Sequence, residues 1–274
     1  MTNTELIEKA LADTPKMTTD EYYALSEDRR VVTPENLGDL LDYPALFHAM
    51  QDDRELRPAL SEAMSTGRAM ADFLGTTPED FLQTYVIADG PVNPKTGKPY
   101  GTDTKAYVEW RATQEKTPVS TEQFNMFGKM ASAYNDHAFI KTLEGHTRYR
   151  NAIIAANVGD VACCCKIDNL YVNGGSVFGI DVTTTSDLNA YGRGSSVHCR
   201  ERLALIHLIL AAVGVTVPQT RIAAIEKGPL PRCGIFAVKD QEVYVASVLR
   251  VLGDYRQNCT TGIFGTSFEA PALI

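Results

Sequence analysis

Two aspartates, Asp168 in "KIDNLYV" and Asp181 in "FGIDVTTT", flank an Asn173-Gly174-Gly175 turn, and each lies in an apolar run that reads as a β-strand. Two carboxylates close together on a sheet face are costly to charge unless a cation sits between them. Oxygen donors in that arrangement suit a divalent metal, so Asp168 and Asp181 are candidate ligands for Mg²⁺ or Mn²⁺. With Asn173-Gly174 as a two-residue turn, Val172 faces Gly175, Asp168 faces Gly179 and Lys166 faces Asp181. Cys164, Lys166, Asp168, Asp181 and Thr183 then share one face, and a three-residue loop would shift the register by one. The same residues also allow a plainer arrangement, in which Lys166 neutralises Asp181 across the strands and Asp168 is solvated near the turn.

The elements that must position this hairpin follow from the pattern around it. Residues 1–15 read as a short helix or loose tail ended by Pro15, and "TTDEYYALSEDRR" as a helical turn or two behind good capping residues. A helix is expected over 33–50 with Pro34 in its first turn, and another over 57–75 stopped by Gly75. A short strand at 84–90, the Pro/Gly/Lys loop "PVNPKTGKPYGTD" and helices near 103–115 and 120–143 come next. In the second half, strands at 151–158, 161–172 and "SVFGIDVTTT" precede a helix from about Ser196 to Val213, strands at 219–226 and 233–238, and a helix from about 240 to 258. This order predicts an α/β domain whose mixed sheet is flanked by helices, with residues 1–19 as an N-terminal extension and 20–274 as one domain.

Composition narrows the function classes. The chain has 274 residues, 44% of them apolar, which is enough for one substantial core. Its 34 acidic residues exceed 26 basic ones, and the net charge of −8 argues against non-specific coating of nucleic acid, though not against a local basic channel. Six cysteines form no C-x-x-C pair, which speaks against a zinc ribbon. Cys163, Cys164 and Cys165 read as small buried hydrophobes in a reducing cytoplasm. The polar N-terminus has no signal-peptide pattern, and the longest apolar run, "LALIHLILAAVG", is too short to span a bilayer. A cytoplasmic location is expected, with no membrane partner.

Taken together, "KIDNLYVNGGSVFGIDVTTTSD" and its surroundings resemble the exonuclease VIII (RecE-type) branch of the PD-(D/E)xK nuclease superfamily, a phage recombination family whose hairpin runs Arg-Pro-Asp, turn, Ile-Val-Asp-Leu-Lys-Thr-Thr. "TPENLGDLLDYPALFHA" resembles that family's early helix, and "MSTGRAMADFLGTTPEDFLQTYVIADG" its Gly-Thr-Ala-x-His helix and following strand. "RIAAIEKGPLPRCGIFAVKDQEV" resembles its Val-Glu-Lys-x-x-Pro strand pair, and "YRQNCTTGIFGTSFEAPALI" its terminal segment. The likeness spans roughly residues 20–274 and implies a PD-(D/E)xK, restriction-endonuclease-like fold.

Five active-site side chains are implied by the resemblance, and two survive, Asp168 and Asp181. The helix histidine falls near Ala71, the glutamate before the hairpin near Arg148 or Arg150, and the lysine of Asp-x-Lys on Thr183. The Gln-to-Tyr helix pattern is also missing from "VHCRERLALIHLIL". In metal-dependent phosphodiester cleavage the carboxylates hold Mg²⁺ and the lysine activates water or offsets charge. Loss of one charge-stabilising donor costs about 10²–10³ in rate. The resemblance therefore implies a degenerate site at Lys166, Asp168, Asp181 and Thr183, unless Lys166 serves in place of the lost lysine. An iron–sulfur cluster, present in some relatives, would need clustered thiolates.

Further candidates lie outside the hairpin. "YGRGSSVHCRER" precedes a helix, where Arg193, Ser195 and Ser196 could hold a phosphate or merely cap a turn. Arg200 and Arg202 could line a DNA channel or sit on the solvated side of an apolar helix. Lys95 and Lys98 could touch DNA backbone from an ordinary exposed loop. His207, set among apolar residues, reads as a core histidine. The expected partners are double-stranded DNA ends or a recombination or host-defence protein, with a homo-oligomer in view because active relatives form closed rings around DNA. Three functions follow: a pseudo-nuclease that binds without cutting, an active Mg²⁺-dependent 5′–3′ exodeoxyribonuclease, or an acidic protein-interaction factor without DNA contact.

Overall fold

Side-chain caps mark where several helices begin. Thr2, Thr18 and Ser120 each accept a backbone N–H three residues on, and Glu5, Glu21 and Gln123 return the bond as capping boxes. The computed structural model describes residues 1–56, 62–194 and 198–264; of these, the side chains of 54, 62, 63 and 192–194 are not described. The helices α1 (Asn3–Asp13), α2 (Thr19–Asp28), α3 (Leu37–Asp42) and α4 (Pro44–Asp52) come first, followed by a 3₁₀ turn at Arg54–Leu56. Next are α5 (Glu62–Gly75), α6 (Pro78–Thr84), β1 (Tyr85–Ile87), α7 (Lys105–Ala112), β2 (Thr117–Val119), α8 (Thr121–Asn135) and α9 (Ala138–Lys141). The second half runs β3 (Thr147–Val158), β4 (Val161–Asn173), β5 (Ser176–Thr185), α10 (Leu188–Gly194), α11 (Cys199–Ala212), β6 (Pro218–Glu226), β7 (Cys233–Ala237) and α12 (Gln241–Thr261).

Two expected helices are each broken in two. The stretch 33–50 divides at Tyr43, which precedes Pro44 and is driven out of the helical region to φ −144°, ψ 75°, and Pro34 lies in the turn before α3 rather than inside it. The stretch 120–143 stops at Asn135 and resumes at Ala138, with His137 accepting the Phe139 N–H as the new cap.

Strands β3 to β7 form a five-stranded mixed sheet in chain order. All neighbouring pairs are antiparallel except β5 and β6, which are parallel and joined through α10 and α11. Alternate residues of β6 show that both faces are covered. Ile222 and Ala224 join a core with α11, α12, α1, α3 and α4, while Ala223 and Ile225 join a core with α5, α6, α8 and α9. Helix α11 buries every residue from Leu203 to Ile206 and from Leu208 to Leu210, so it lies inside the first core rather than on its surface. Ile7 of α1 is fully buried in that core. Among the described residues, no helix is long and apolar enough to cross a membrane.

Candidate functional site: a charged cleft where the sheet divides

The hairpin turn is Gly174-Gly175, with Asn173 opposite Ser176 and Val172 opposite Val177. The expected pairing of Val172 with Gly175 is thus corrected by two residues, as is that of Lys166 with Asp181. An even shift leaves each side chain on its own face. The β4–β5 ladder ends at Asn169 opposite Ile180, while β5 continues beside β6 to Thr185 and β4 continues beside β3 to Val161. The sheet divides at the level of Asp168 and Asp181.

A second irregularity coincides with that split. Cys163, Cys165 and Ile167 face the first core, but so do Leu170 and Val172, so β4 changes parity across Asp168 and Asn169. On β3 the ladder steps from Arg150 to Ala152 and omits Asn151, whose φ is +44°. The expected single face from Cys164 to Asp168 is therefore interrupted at the site itself.

Asp168 closes the gap that the split leaves. Its Oδ2 accepts the backbone N–H of Val182 at 2.8 Å, in place of a ladder bond, and its Oδ1 accepts from Lys166 Nζ. Lys166 also donates to Asn151 Oδ1 at 3.3 Å and lies 3.6 Å from Asp72 Oδ1. Asp72 comes from α5, and its other oxygen accepts the Tyr85 hydroxyl at 2.7 Å. Burial opposes the charge on Lys166, but the carboxylates of Asp168 and Asp72 outweigh it and hold its pKa well above the usual lysine value. Burial raises the Asp72 pKa, with Lys166 and the Tyr85 hydroxyl pulling it back.

Asp181 takes a different partner, Arg202 Nη2 of α11, at 3.3 Å. Burial pushes the Asp181 carboxyl up to about 7; Arg202 lowers it without cancelling the effect, and nearby Asp168 adds to the rise. Lys166, Asp168, Asp181, Thr183 and Arg202 border one cavity of about 430 Å³, together with Ala71, Tyr23, Glu35, Arg29 and Arg68. Two buried charge pairs on divided strands, opening into one cavity, make this the candidate site.

The carboxylates do not fit a divalent metal as they stand. Both Asp168 oxygens are engaged, Arg202 holds Asp181, and an ammonium sits between Asp168 and Asp72. Among the described residues, no group of three or more His, Cys, Asp or Glu side chains could hold a metal ion. The cysteines suit a cluster no better, since burial pushes the Cys163 and Cys164 thiols up to about 12 and disfavours the thiolate that iron–sulfur ligation needs.

Other expected residues fall in separate places. Arg148 donates to Asn169 Oδ1 at 2.8 Å and to Leu74 O at 3.0 Å, and Arg150 to Thr76 O at 3.1 Å. Both tie β3 to carbonyls at the C-terminal end of α5, where cations are favoured. Arg200 is exposed and bonds the Tyr244 hydroxyl at 2.8 Å, away from the cavity that Arg202 borders. Lys95 and Lys98 are exposed and do not border the cavity. Ser195 and Ser196 lie outside the described residues, as does the side chain of Arg193. His207 is half-buried with Nδ1 3.0 Å from Pro218 O, and burial lowers its pKa.

Sequence reading missed Asp72 and Asn151. Asp72 is the residue after Ala71, the only acid in the apolar run "AMADFL", and that isolation was a usable signal. Asn151 gave none, because its role rests on a positive φ and on the close approach of Gly75: a Cβ there would meet Asn151 Cγ at 2.7 Å.

No protein-family model matches the chain, and no curated protein matches it. Among solved structures it is similar to the crystal structure of a "Putative exonuclease" from Eubacterium rectale, with TM-score 0.58 and 14% identity, over 92% of this chain and 89% of that one. A second structure, SSO0001, aligns over 93% of this chain and 85% of that one at 12% identity, but its TM-score of 0.33 carries no argument. The first likeness establishes the fold that this chain shares with that protein, a mixed α/β sheet flanked by helices.

Proposed function

We propose that this chain is a pseudo-nuclease of the exonuclease VIII type: a nuclease-like fold, phage-derived, that binds DNA ends or a recombination protein without cutting. The observation that carries the reading is the pairing of the buried aspartates where the sheet divides with cations of the chain itself, Lys166 for Asp168 and Asp72, Arg202 for Asp181. Where a nuclease of this type presents a lysine, the cleft has Thr183, which has a hydroxyl but neither charge nor reach. Acids already committed to Lys166 and Arg202 are poor ligands for the metal that phosphodiester cleavage uses, and neither cation is free to act on a substrate. DNA contact would fall to Arg200, Arg202, Arg193, Ser195, Ser196, Lys95 and Lys98; of Arg200, Arg202, Lys95 and Lys98 only Arg202 borders the cavity, so a protein partner suits the net charge of −8 as well as DNA does.

The test is incubation of the purified chain with end-labelled duplex and Mg²⁺ or Mn²⁺. No release of nucleotides is expected. Release that disappears in Asp181→Ala would overturn the reading, and its further loss in Lys166→Met would make Lys166 the replacement for the missing lysine. Gel shifts over a salt series then separate the partners, because binding through phosphates weakens steeply with salt. Absence of any shift at low salt leaves the protein partner.

A further inference from the structure

The ammonium of Lys166 has three N–H donors, and three oxygens from three different elements surround it: Asp168 Oδ1 of β4, Asn151 Oδ1 of β3 at 3.3 Å, and Asp72 Oδ1 of α5 at 3.6 Å. The side chains of Lys166 and Asp72 are only 2% and 7% exposed. Asp72 Oδ1 is buried and accepts no hydrogen bond, while Oδ2 accepts the Tyr85 hydroxyl, so the ammonium is the cation this carboxylate faces. The Tyr23 ring lies 5.5 Å from the same nitrogen and adds a cation-attracting face. These are the hard oxygen donors and the double negative charge that a divalent cation takes, spread wider than the roughly 2.0–2.6 Å that metal–oxygen bonds need.

We propose that Lys166 is a built-in cation: its ammonium fills an oxygen cage formed by Asp72, Asn151 and Asp168, closing to divalent metal the place where the sheet divides. The cage is ordered by the chain's own charge and is independent of added ions. Removing that charge leaves two buried carboxylates facing one another, and a divalent ion then becomes the stabilising occupant. The inference rests on the non-catalytic reading above, but it concerns metal uptake rather than DNA cleavage, so the two can fail separately.

Thermal unfolding and titration calorimetry with MnCl₂, on the wild-type chain and on Lys166→Met, test it. The wild type is expected to show no heat of binding and no change of midpoint between EDTA and Mn²⁺. Lys166→Met is expected to unfold at lower temperature in EDTA and to recover about 5 °C with Mn²⁺ at roughly 100 times its Kd. The double variant Lys166→Met/Asp168→Asn should lose the Mn²⁺ response. If Lys166→Met folds only when Mn²⁺ is present, the proposal stands. If it stays unfolded with Mn²⁺ while the double variant folds, or folds without responding to Mn²⁺, the proposal is overturned. Mn²⁺ uptake by the wild type that Asp168→Asn abolishes also overturns it, whatever the nuclease assay reads.

Discussion

The charge pairs of the cleft and those of the outer surface use the same residue types in different surroundings. Lys166 and Asp168 are 2% and 4% exposed, whereas Lys9 and Asp13, paired one helical turn apart on α1, are 62% and 63% exposed. On the surface, water solvates each partner whether or not the pair forms, so little depends on the contact. In the cleft, both charges have lost their hydration, and each is the main replacement for what the other gave up. The chemistry of the pair is therefore decided by the split in the sheet, which buries it, rather than by the residues alone. Position 166 cannot vary independently of 72 and 168, while position 9 can vary freely.

Truncating one cleft partner is the strongest way to break this comparison. Asp168→Ala removes the partner of Lys166 and leaves the Val182 N–H without its acceptor. The expected loss is about 3–5 kcal/mol, read from denaturant unfolding monitored by circular dichroism. A loss below about 1 kcal/mol would mean the cleft is as well solvated as the surface, and the contrast would vanish. Next in size is a steric change that touches no charge. Gly75→Ala places a methyl group 2.9 Å from Asn151 Nδ2 and closer still to its carbonyl, and is expected to cost about 1–3 kcal/mol. The control is Gly128→Ala in α8, where nothing lies within 4 Å, and a gain of up to about 1 kcal/mol is expected from helix propensity.

The same contrast explains what could be read from the chain before its fold was known. The order of strands and the long apolar helix were legible because burial imposes periodicity, and α11 and β4 to β6 carry it strongly. Asp168 and Asp181 were legible as a pair because each interrupts an apolar strand beside a glycine turn. The register was not, since Asn173-Gly174-Gly175 offers two adjacent two-residue turns that differ by two positions in pairing and leave the faces unchanged. The partners were not legible either. Asp72 reaches Lys166 from α5, and Arg202 reaches Asp181 from α11, and both distances depend on packing between distant segments. A resemblance keyed on Ala71 points one residue away from the acid that faces Lys166.

A pH measurement sharpens the comparison within the cleft. The folded Asp181 carboxyl, at about 7, holds a proton that the unfolded chain releases near 4, so its contribution to stability is full below about pH 4 and is lost as pH rises toward 7. Arg202 beside the carboxyl opposes the rise but does not cancel it, so the change falls between about pH 4 and pH 7. The difference in unfolding free energy between wild type and Asp181→Asn should fall across that range and level off above it. A difference independent of pH would place Asp181 with the solvated acids.

The smallest effect completes the series at the surface. Lys9→Ala removes the partner of Asp13 near the end of α1, where water takes over both charges and alanine favours the helix. Its cost should stay below about 0.5 kcal/mol and shrink further at high salt, because the exposed attraction is screened within a Debye length. The Asp168→Ala loss should respond far less to the same salt, since no ions enter between buried partners. Running both variants in one salt series therefore measures burial directly: similar salt responses would show that the cleft pair is solvated, and the divided sheet would no longer account for its behaviour.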